Sequence, residues 1–162
     1  MKASKSLENL ANIAIVGLAV ILVGFLVRGY FFGTAHAQQP TIGEKLEIPS
    51  ITQDKAERTL LVALRNDCPF CEDSRDFYQR LLLTANSKNI RVIALFEKAD
   101  PKNSAFIESM NPHFENVLVL SFSNIKVDAT PTIIDLNMDG SVKSVWVGKL
   151  PAEKEDQLLR SL

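Results

Sequence analysis

The sequence predicts an α/β fold in which a central sheet of mixed direction is flanked by helices, preceded by a single transmembrane helix. Three observations lead to this prediction: a long uncharged apolar stretch near the amino terminus, apolar runs that alternate with helical patterns, and a hairpin pattern followed by a final helix. Beyond the first forty positions about 120 residues remain, which is enough for one domain with its own core.

The amino-terminal segment is long and apolar enough to span a membrane. From residue 10 to residue 27 there are about eighteen consecutive residues without a charge, and three aromatic residues follow where interfacial aromatics occur. We therefore predict a short cytoplasmic tail at residues 1–9, a transmembrane signal-anchor helix at 10–32 and a linker at 33–40. This anchor would bind the lipid bilayer.

The charges around this segment predict that the rest of the chain is exported. Lys2 and Lys5 precede the apolar stretch, so the positive-inside rule favours a cytoplasmic amino terminus. Residues 41–162 would then face the periplasm or the cell exterior, held at a bacterial-type inner membrane by a single pass. The alternative is a signal peptide cleaved after Ala37, because residues 35–37 read Ala-His-Ala. Both interpretations export the domain.

The first half of this domain alternates strand and helix patterns. Residues 42–48 alternate apolar and polar side chains, which predicts a short strand or hairpin arm. Residues 59–64 form a continuous apolar run, typical of a central strand buried on both faces. Residues 70–85 have helical periodicity, with one face apolar. Residues 90–96 predict the next buried strand.

The second half predicts a short helix, three strands and a final helix. An Asp-Pro pair starts the short helix, at residues 101–110, and an Asn-Pro pair ends it. A strand is predicted at 117–122. Residues 132–136 and 142–147 predict a hairpin, because an Asn-Met-Asp-Gly turn joins them. A polar helix over 151–162 starts at a proline and ends the chain.

The two cysteines of the chain, Cys68 and Cys71, are spaced for redox chemistry. A zinc site usually needs four ligands, and the sequence has no second pair of cysteines and no nearby histidine, so we predict no metal. A disulfide over so short a loop stabilises a fold only slightly. We therefore predict a redox-active pair rather than a structural one, without a dissociable cofactor.

The position of the cysteine motif fits thiol chemistry. Cys68 would lie where a buried strand passes into a helix, so unpaired backbone N–H groups and the helix dipole would stabilise its thiolate. Cys71 would lie one turn later, close enough to resolve a mixed disulfide. Pro69 suits the first turn of a helix, which needs no proline N–H.

The exported part resembles the thioredoxin-like superfamily, and most of all the membrane-anchored TlpA/ResA type of the redoxin group. Besides Cys-Pro-Phe-Cys, the sequence Val-Asp-Ala-Thr-Pro-Thr at 127–132 resembles the family loop in which a cis proline faces the cysteine pair. Residues 133–148 are similar to the closing hairpin of the family, and residues 42–46 to its opening segment. The similarity covers residues 41–162.

This resemblance implies an enzyme, a thiol–disulfide oxidoreductase that exchanges its dithiol or disulfide with extracytoplasmic protein thiols. It implies a cis Pro131, with the backbone of Thr130 pairing with an incoming substrate chain, and catalysis by Cys68 and Cys71. It also implies a membrane electron donor or acceptor. The reductant direction is favoured over disulfide formation.

Two departures from the family pattern concern the surroundings of Cys68. Asp67 stands where relatives usually carry an aromatic residue; it is predicted either to cap the helix or to raise the Cys68 pKa by its charge. With Pro69 and Phe70 it is a candidate for modulating that pKa. A buried acid found in many relatives is missing, and Val62 and Ser74 occupy its two expected places.

Other function classes are weaker. Nucleic acid is excluded as a partner because the net charge is −1 and no basic stripe occurs. A thiol peroxidase is discounted because Arg65 stands where that group carries Thr or Ser. A non-catalytic docking module with a thioredoxin fold, and a structural envelope protein with an incidental disulfide, remain alternatives. The docking module predicts that replacing Cys68 leaves function intact, and the envelope protein predicts no turnover with any disulfide substrate.

Overall fold

The computed structural model describes residues 15–24, 39–48 and 58–162, and the chain divides into two compact units at residues 37 and 38. Of the predicted anchor, only residues 15–24 are described; they form a helix with exposed side chains. Within the described ranges, no helix is long and apolar enough to cross a membrane. The predicted tail, the basic residues before the apolar stretch and the candidate cleavage site lie outside the described residues.

The second unit contains a mixed five-stranded sheet built from described residues, in the order β3-β2-β1-β4-β5. β1 pairs in parallel with β2, as β2 does with β3, while β4 is antiparallel to β1 and to β5. The strands are β1 (Thr59–Leu64), β2 (Arg91–Phe96), β3 (Asn116–Val119), β4 (Thr132–Leu136) and β5 (Val142–Val147). The mixed direction agrees with the sequence prediction.

Helices pack against one face of this sheet. They are α1 (Pro69–Glu72), α2 (Arg75–Ser87), α3 (Pro101–Glu108) and α4 (Ala152–Ser161), and a 3₁₀ turn spans Phe122–Ile125. α1, α3 and α4 each start at or beside a proline, whose fixed φ and missing N–H suit a first turn. Asp100 caps α3 by accepting a hydrogen bond from the Lys102 N–H at 2.8 Å.

Alternate side chains of β1 point into two apolar clusters, so this strand is buried throughout. Leu60, Val62 and Leu64 face the helices, in the cluster that includes Cys71. Leu61 and Ala63 face the opposite side, which among the described residues is covered by the 3₁₀ turn and the segment 39–48. β1 therefore holds the cysteine motif on a rigid, central element.

The predicted helix over 70–85 is broken after its first turn. α1 ends at Glu72 and α2 begins at Arg75, because the Ser74 hydroxyl donates to the Phe70 carbonyl at 2.8 Å and competes with the helical pattern. The helical pattern predicts that Phe70 shares the apolar face with Phe77 and Leu81, and this is wrong for Phe70, which is 57% exposed.

Two predicted strands are shorter than the sequence pattern indicated. β3 ends at Val119, and Phe122 belongs to the 3₁₀ turn, where it is buried. The segment 42–48 forms one isolated bridge, between Lys45 and Ser141, although Leu46 and Ile48 are buried as an alternating pattern requires. The closing hairpin agrees with the prediction.

Candidate active site

The two cysteines lie at the amino end of α1, directly after β1. Cys68 is the N-cap residue of α1, and its sulfur accepts a hydrogen bond from the Cys71 N–H at 3.3 Å. Pro69 occupies the first helical position, where no N–H is required. Both thiols are free; Cys68 is partly exposed and Cys71 is 0% exposed. One sulfur is thus accessible to a partner and the other is held behind it.

The surroundings give the two thiols different acidities. Partial burial raises the pKa of Cys68, but hydrogen bonds with the side chains of Cys71 and Thr130 and with the backbone of Cys71 and Phe70 outweigh it, so the net pKa lies below the usual value. Burial, and next the neighbouring Cys68, raise the pKa of Cys71 to about 12. Cys68 therefore ionises at a lower pH than Cys71.

A cis proline loop lies against the exposed sulfur. The Thr130–Pro131 peptide bond is cis, as the sequence predicted. The Cys68 thiol donates to the Thr130 carbonyl oxygen at 3.3 Å, across 62 positions of sequence. The Pro131 carbonyl accepts a hydrogen bond from the Gly148 N–H at 2.7 Å, which ties the loop to the end of β5. The fold therefore brings the predicted residues 68, 71, 130 and 131 together.

Asp67 does not cap the helix, because Cys68 holds that position. Its carboxylate instead accepts hydrogen bonds from Arg65, from Nε at 3.1 Å and from Nη2 at 3.3 Å. The guanidinium offsets the negative charge beside Cys68, and the net pKa of Cys68 is lowered rather than raised. The prediction that Asp67 caps α1 was wrong because the helix begins one residue later than an Asp67 cap requires.

Two contacts around the motif were missed by the sequence reasoning. Asn66 donates through its side chain to Asn103 at 2.8 Å, and Asn103 donates in turn to the Lys98 carbonyl at 2.8 Å. This chain of bonds joins the loop before Cys68 to the loop after β2. An open groove of about 240 Å³ lies beside it, with Asp67 in its lining. The sequence shows only an asparagine within a helical pattern, and its burial, which marks it as part of this network, is visible in the structure.

On the other side of the motif, Lys149 pairs with Asp73 at 3.1 Å. The two residues lie on the loop after β5 and at the end of α1, so the pair links the closing hairpin to the cysteine helix. Both side chains are largely exposed, so the pair contributes little to stability. The pair connects the end of α1 to the loop after β5, and these two segments lie on either side of the sulfurs.

Several solved structures have a fold similar to this one. StoA from Bacillus subtilis is 18% identical, with a TM-score of 0.54, and the match covers 67% of this chain and 84% of that one. A thiol-disulfide isomerase from Corynebacterium glutamicum is 19% identical, with a TM-score of 0.53 and coverage of 80% and 97%. A secreted disulfide oxidoreductase from Mycobacterium tuberculosis is 17% identical, with a TM-score of 0.51 and coverage of 66% and 83%.

These likenesses show that the chain has a thioredoxin-like fold. No protein-family model matches the sequence, and no curated protein sequence matches it significantly. These matches cover 84%, 97% and 83% of the respective solved chains.

Proposed function

We propose that this chain is a thiol–disulfide oxidoreductase that exchanges its Cys68–Cys71 pair with cysteines of exported proteins. The observation that carries the proposal is the asymmetry of the pair: an ionisable, partly exposed Cys68 caps a helix beside a cis proline, with a buried Cys71 behind it. Two of the similar structures are named for the same chemistry, as a thiol-disulfide isomerase and as a disulfide oxidoreductase, which supports the proposal.

In the reducing direction, the Cys68 thiolate attacks one sulfur of a client disulfide. A Cys68–client bond forms, and the other client sulfur leaves as a thiolate. Cys71 then loses its proton and attacks the Cys68 sulfur, which forms the Cys68–Cys71 disulfide and releases the second client thiolate. Two electrons pass from the chain to the client, and the opposite direction follows the same steps in reverse.

The proposed direction is reduction of client disulfides. The backbone carbonyl of Thr130 lies 3.3 Å from the Cys68 sulfur and can only accept a hydrogen bond, so this backbone contact favours the thiol and opposes part of the thiolate stabilisation that the Thr130 side chain and α1 provide. A thiolate that is stabilised only moderately favours a reducing potential over an oxidising one. Resemblance to the TlpA/ResA type supports the same direction, with a membrane protein as the source of electrons.

The proposed location is the outer side of the cytoplasmic membrane, with residues 10–32 as the anchor. The apolar stretch and the basic residues before it support this proposal. We expect the full-length chain to sediment with membranes and Cys68 to react with a membrane-impermeant maleimide in intact cells. Labelling that requires cell lysis would contradict the exported orientation.

Exchange is tested with the purified full-length chain and a disulfide-containing protein such as insulin, using dithiothreitol as electron source. We expect Cys68→Ser to abolish the acceleration of insulin reduction, and Cys71→Ser to accumulate a mixed disulfide through Cys68. Each substitution replaces one sulfur of the pair with oxygen, so each variant controls for the other. If Cys68→Ser retains full activity, or if no mixed disulfide accumulates, the docking-module alternative replaces this proposal.

A further inference from the structure

Asn103 is a buried amide on α3 to which the exchange steps above give no role. The residue is only 7% exposed, and asparagine is seldom buried to that extent unless its polar atoms are paired. Its side chain accepts a hydrogen bond from the Asn66 side chain at 2.8 Å and donates one to the Lys98 carbonyl at 2.8 Å. One buried side chain therefore ties the loop before Cys68 to the loop after β2.

Asn66 lies within the tight turn that leads from β1 to Cys68. The Cys68 N–H donates to the Arg65 carbonyl at 3.4 Å, a long bond that closes this turn only weakly. Among the described residues, the side chains at 65–67 form one hydrogen bond outside the turn, from Asn66 to Asn103. The same residues line an open groove of about 240 Å³, so packing does not support the turn on that side. The bond to Asn103 is therefore the main constraint on the turn.

The position of the Cys68 sulfur depends on this turn. Cys68 is the N-cap residue of α1, where its sulfur accepts a hydrogen bond from the Cys71 N–H at 3.3 Å. α1 has only four residues, so its position is set by neighbouring segments rather than by its own stability. A turn that moved would carry the sulfur away from an N–H group that stabilises its thiolate.

We propose that Asn103 is a positioning residue for the exchange reaction: through Asn66 it holds the turn at 65–68, and with it the Cys68 sulfur, in the geometry from which Cys68 attacks a client disulfide. The inference rests on the exchange function proposed above and adds a residue to it. Asn103 gives up no proton and no electron in the reaction. It acts through Asn66, because the Cys68 thiolate keeps the bond from the Cys71 N–H only while the turn stays in place.

The pH dependence of Cys68 alkylation measures whether the turn holds the sulfur. The reduced full-length chain and its variants are treated with iodoacetamide across a pH series, and mass spectrometry follows the rate of modification at Cys68. We expect Asn103→Ala to raise the apparent pKa of Cys68 by about half a unit, the partial loss of one hydrogen bond to the thiolate. A role in stability alone would change the resistance to urea and leave this pH profile as it is in the wild type.

Asn66→Ala removes the same hydrogen bond from its other end, so it should produce the same shift. It also tests the inference if Asn103→Ala does not fold, since Asn66 is only partly buried. Because the two side chains share one bond, the double variant Asn66→Ala/Asn103→Ala should shift the pKa of Cys68 by no more than either single variant.

Ser109→Ala is the matched control on α3. Ser109 follows the last residue of this helix and donates to the Phe106 carbonyl at 2.6 Å, and it forms no hydrogen bond with the turn at 65–68. Its removal should leave the pH profile of Cys68 at the wild-type position.

The inference is overturned if Asn66→Ala leaves the pH profile of Cys68 unchanged, if the shifts of the two single variants add in the double variant, or if Ser109→Ala shifts the profile as much as Asn103→Ala. Insulin reduction tests the exchange function separately. A wild-type chain that reduces no insulin would contradict that function, whatever the alkylation profiles show. The two failures are therefore distinguishable.

Discussion

At the residue scale, the main feature is that the pKa values of the two cysteines, three positions apart, are shifted in opposite directions. The pKa of Cys68 lies below 9.0, the ordinary value for a thiol, whereas burial raises the pKa of Cys71 to about 12. Since the thiolate is the reactive form, iodoacetamide at neutral pH should alkylate Cys68 at least about a thousandfold faster than Cys71. Mass spectrometry of the reduced chain should then show a single adduct, at Cys68.

Cys71 should become reactive at high pH. The folded-state pKa of Cys71 is raised from 9.0 to about 12, so its reactivity should increase only as the pH approaches 12. The unfolded thiol ionises first, so the stability that comes from keeping Cys71 protonated is complete below pH 9.0 and is lost between 9.0 and about 12. In denaturant both cysteines should react alike, which serves as the control. Equal labelling of the folded chain at neutral pH would contradict the burial that distinguishes them.

The charge beside the nucleophile is a second residue-scale feature. Arg65 is paired with Asp67, and both side chains are more than half exposed. Removing the guanidinium in Arg65→Ala should leave the carboxylate uncompensated and raise the Cys68 pKa by a few tenths of a unit. Thiolate absorbance against pH measures the shift. The double variant Arg65→Ala/Asp67→Asn should return the pKa towards that of the wild type; if it does not, the carboxylate is not the cause.

At the element scale, the amino end of β1 is fixed by an ion pair far from the cysteines. Asp135 on β4 is 0% exposed, and Arg58 donates to it through Nε at 2.8 Å while also bonding the carbonyls of Ser161 and Leu162 at 3.1 and 3.0 Å. Burial works to lower the Arg58 pKa, but the stronger hydrogen bond with Asp135 raises it. The pair therefore joins the end of α4 to the middle of the sheet.

Asp135→Asn should lower the free energy of unfolding by about 3 kcal/mol, because it leaves a largely buried guanidinium without its counter-charge. Urea unfolding followed by fluorescence of Trp146, the single tryptophan, measures the loss. Lys143 is the control: it approaches the same carboxylate at 3.9 Å but is half exposed, so Lys143→Ala should cost less than about 1 kcal/mol. Similar losses for both variants would mean that burial does not decide the effect.

At the scale of the whole molecule, the sequence predicts the features that depend on local pattern. The apolar run of β1, the Asn-Met-Asp-Gly turn and the prolines at helix starts each act within a few residues, and all agree with the structure. The cis Pro131 was predicted from the resemblance. Contacts between distant positions were not predictable: Asn103 reads as an ordinary polar helix residue, and Asp135 reads as a polar residue of a strand. Their roles depend on which groups the folded chain brings against them.

The balance between the oxidised and reduced chain is also a property of the whole molecule. The fold stabilises the dithiol and the disulfide to different extents, and that difference sets the reduction potential relative to the same cysteines in the unfolded chain. A reductant requires that folding favour the disulfide. We therefore expect the oxidised full-length chain to resist urea better than the reduced chain, and its potential against dithiothreitol to lie near −270 mV, the thioredoxin value.

The control is the double variant Cys68→Ser/Cys71→Ser, which should unfold identically with and without reductant. A reduced chain more stable than the oxidised one, with a potential near −120 mV, would make the chain a disulfide donor, because stabilisation of the reduced form is what makes such proteins oxidants.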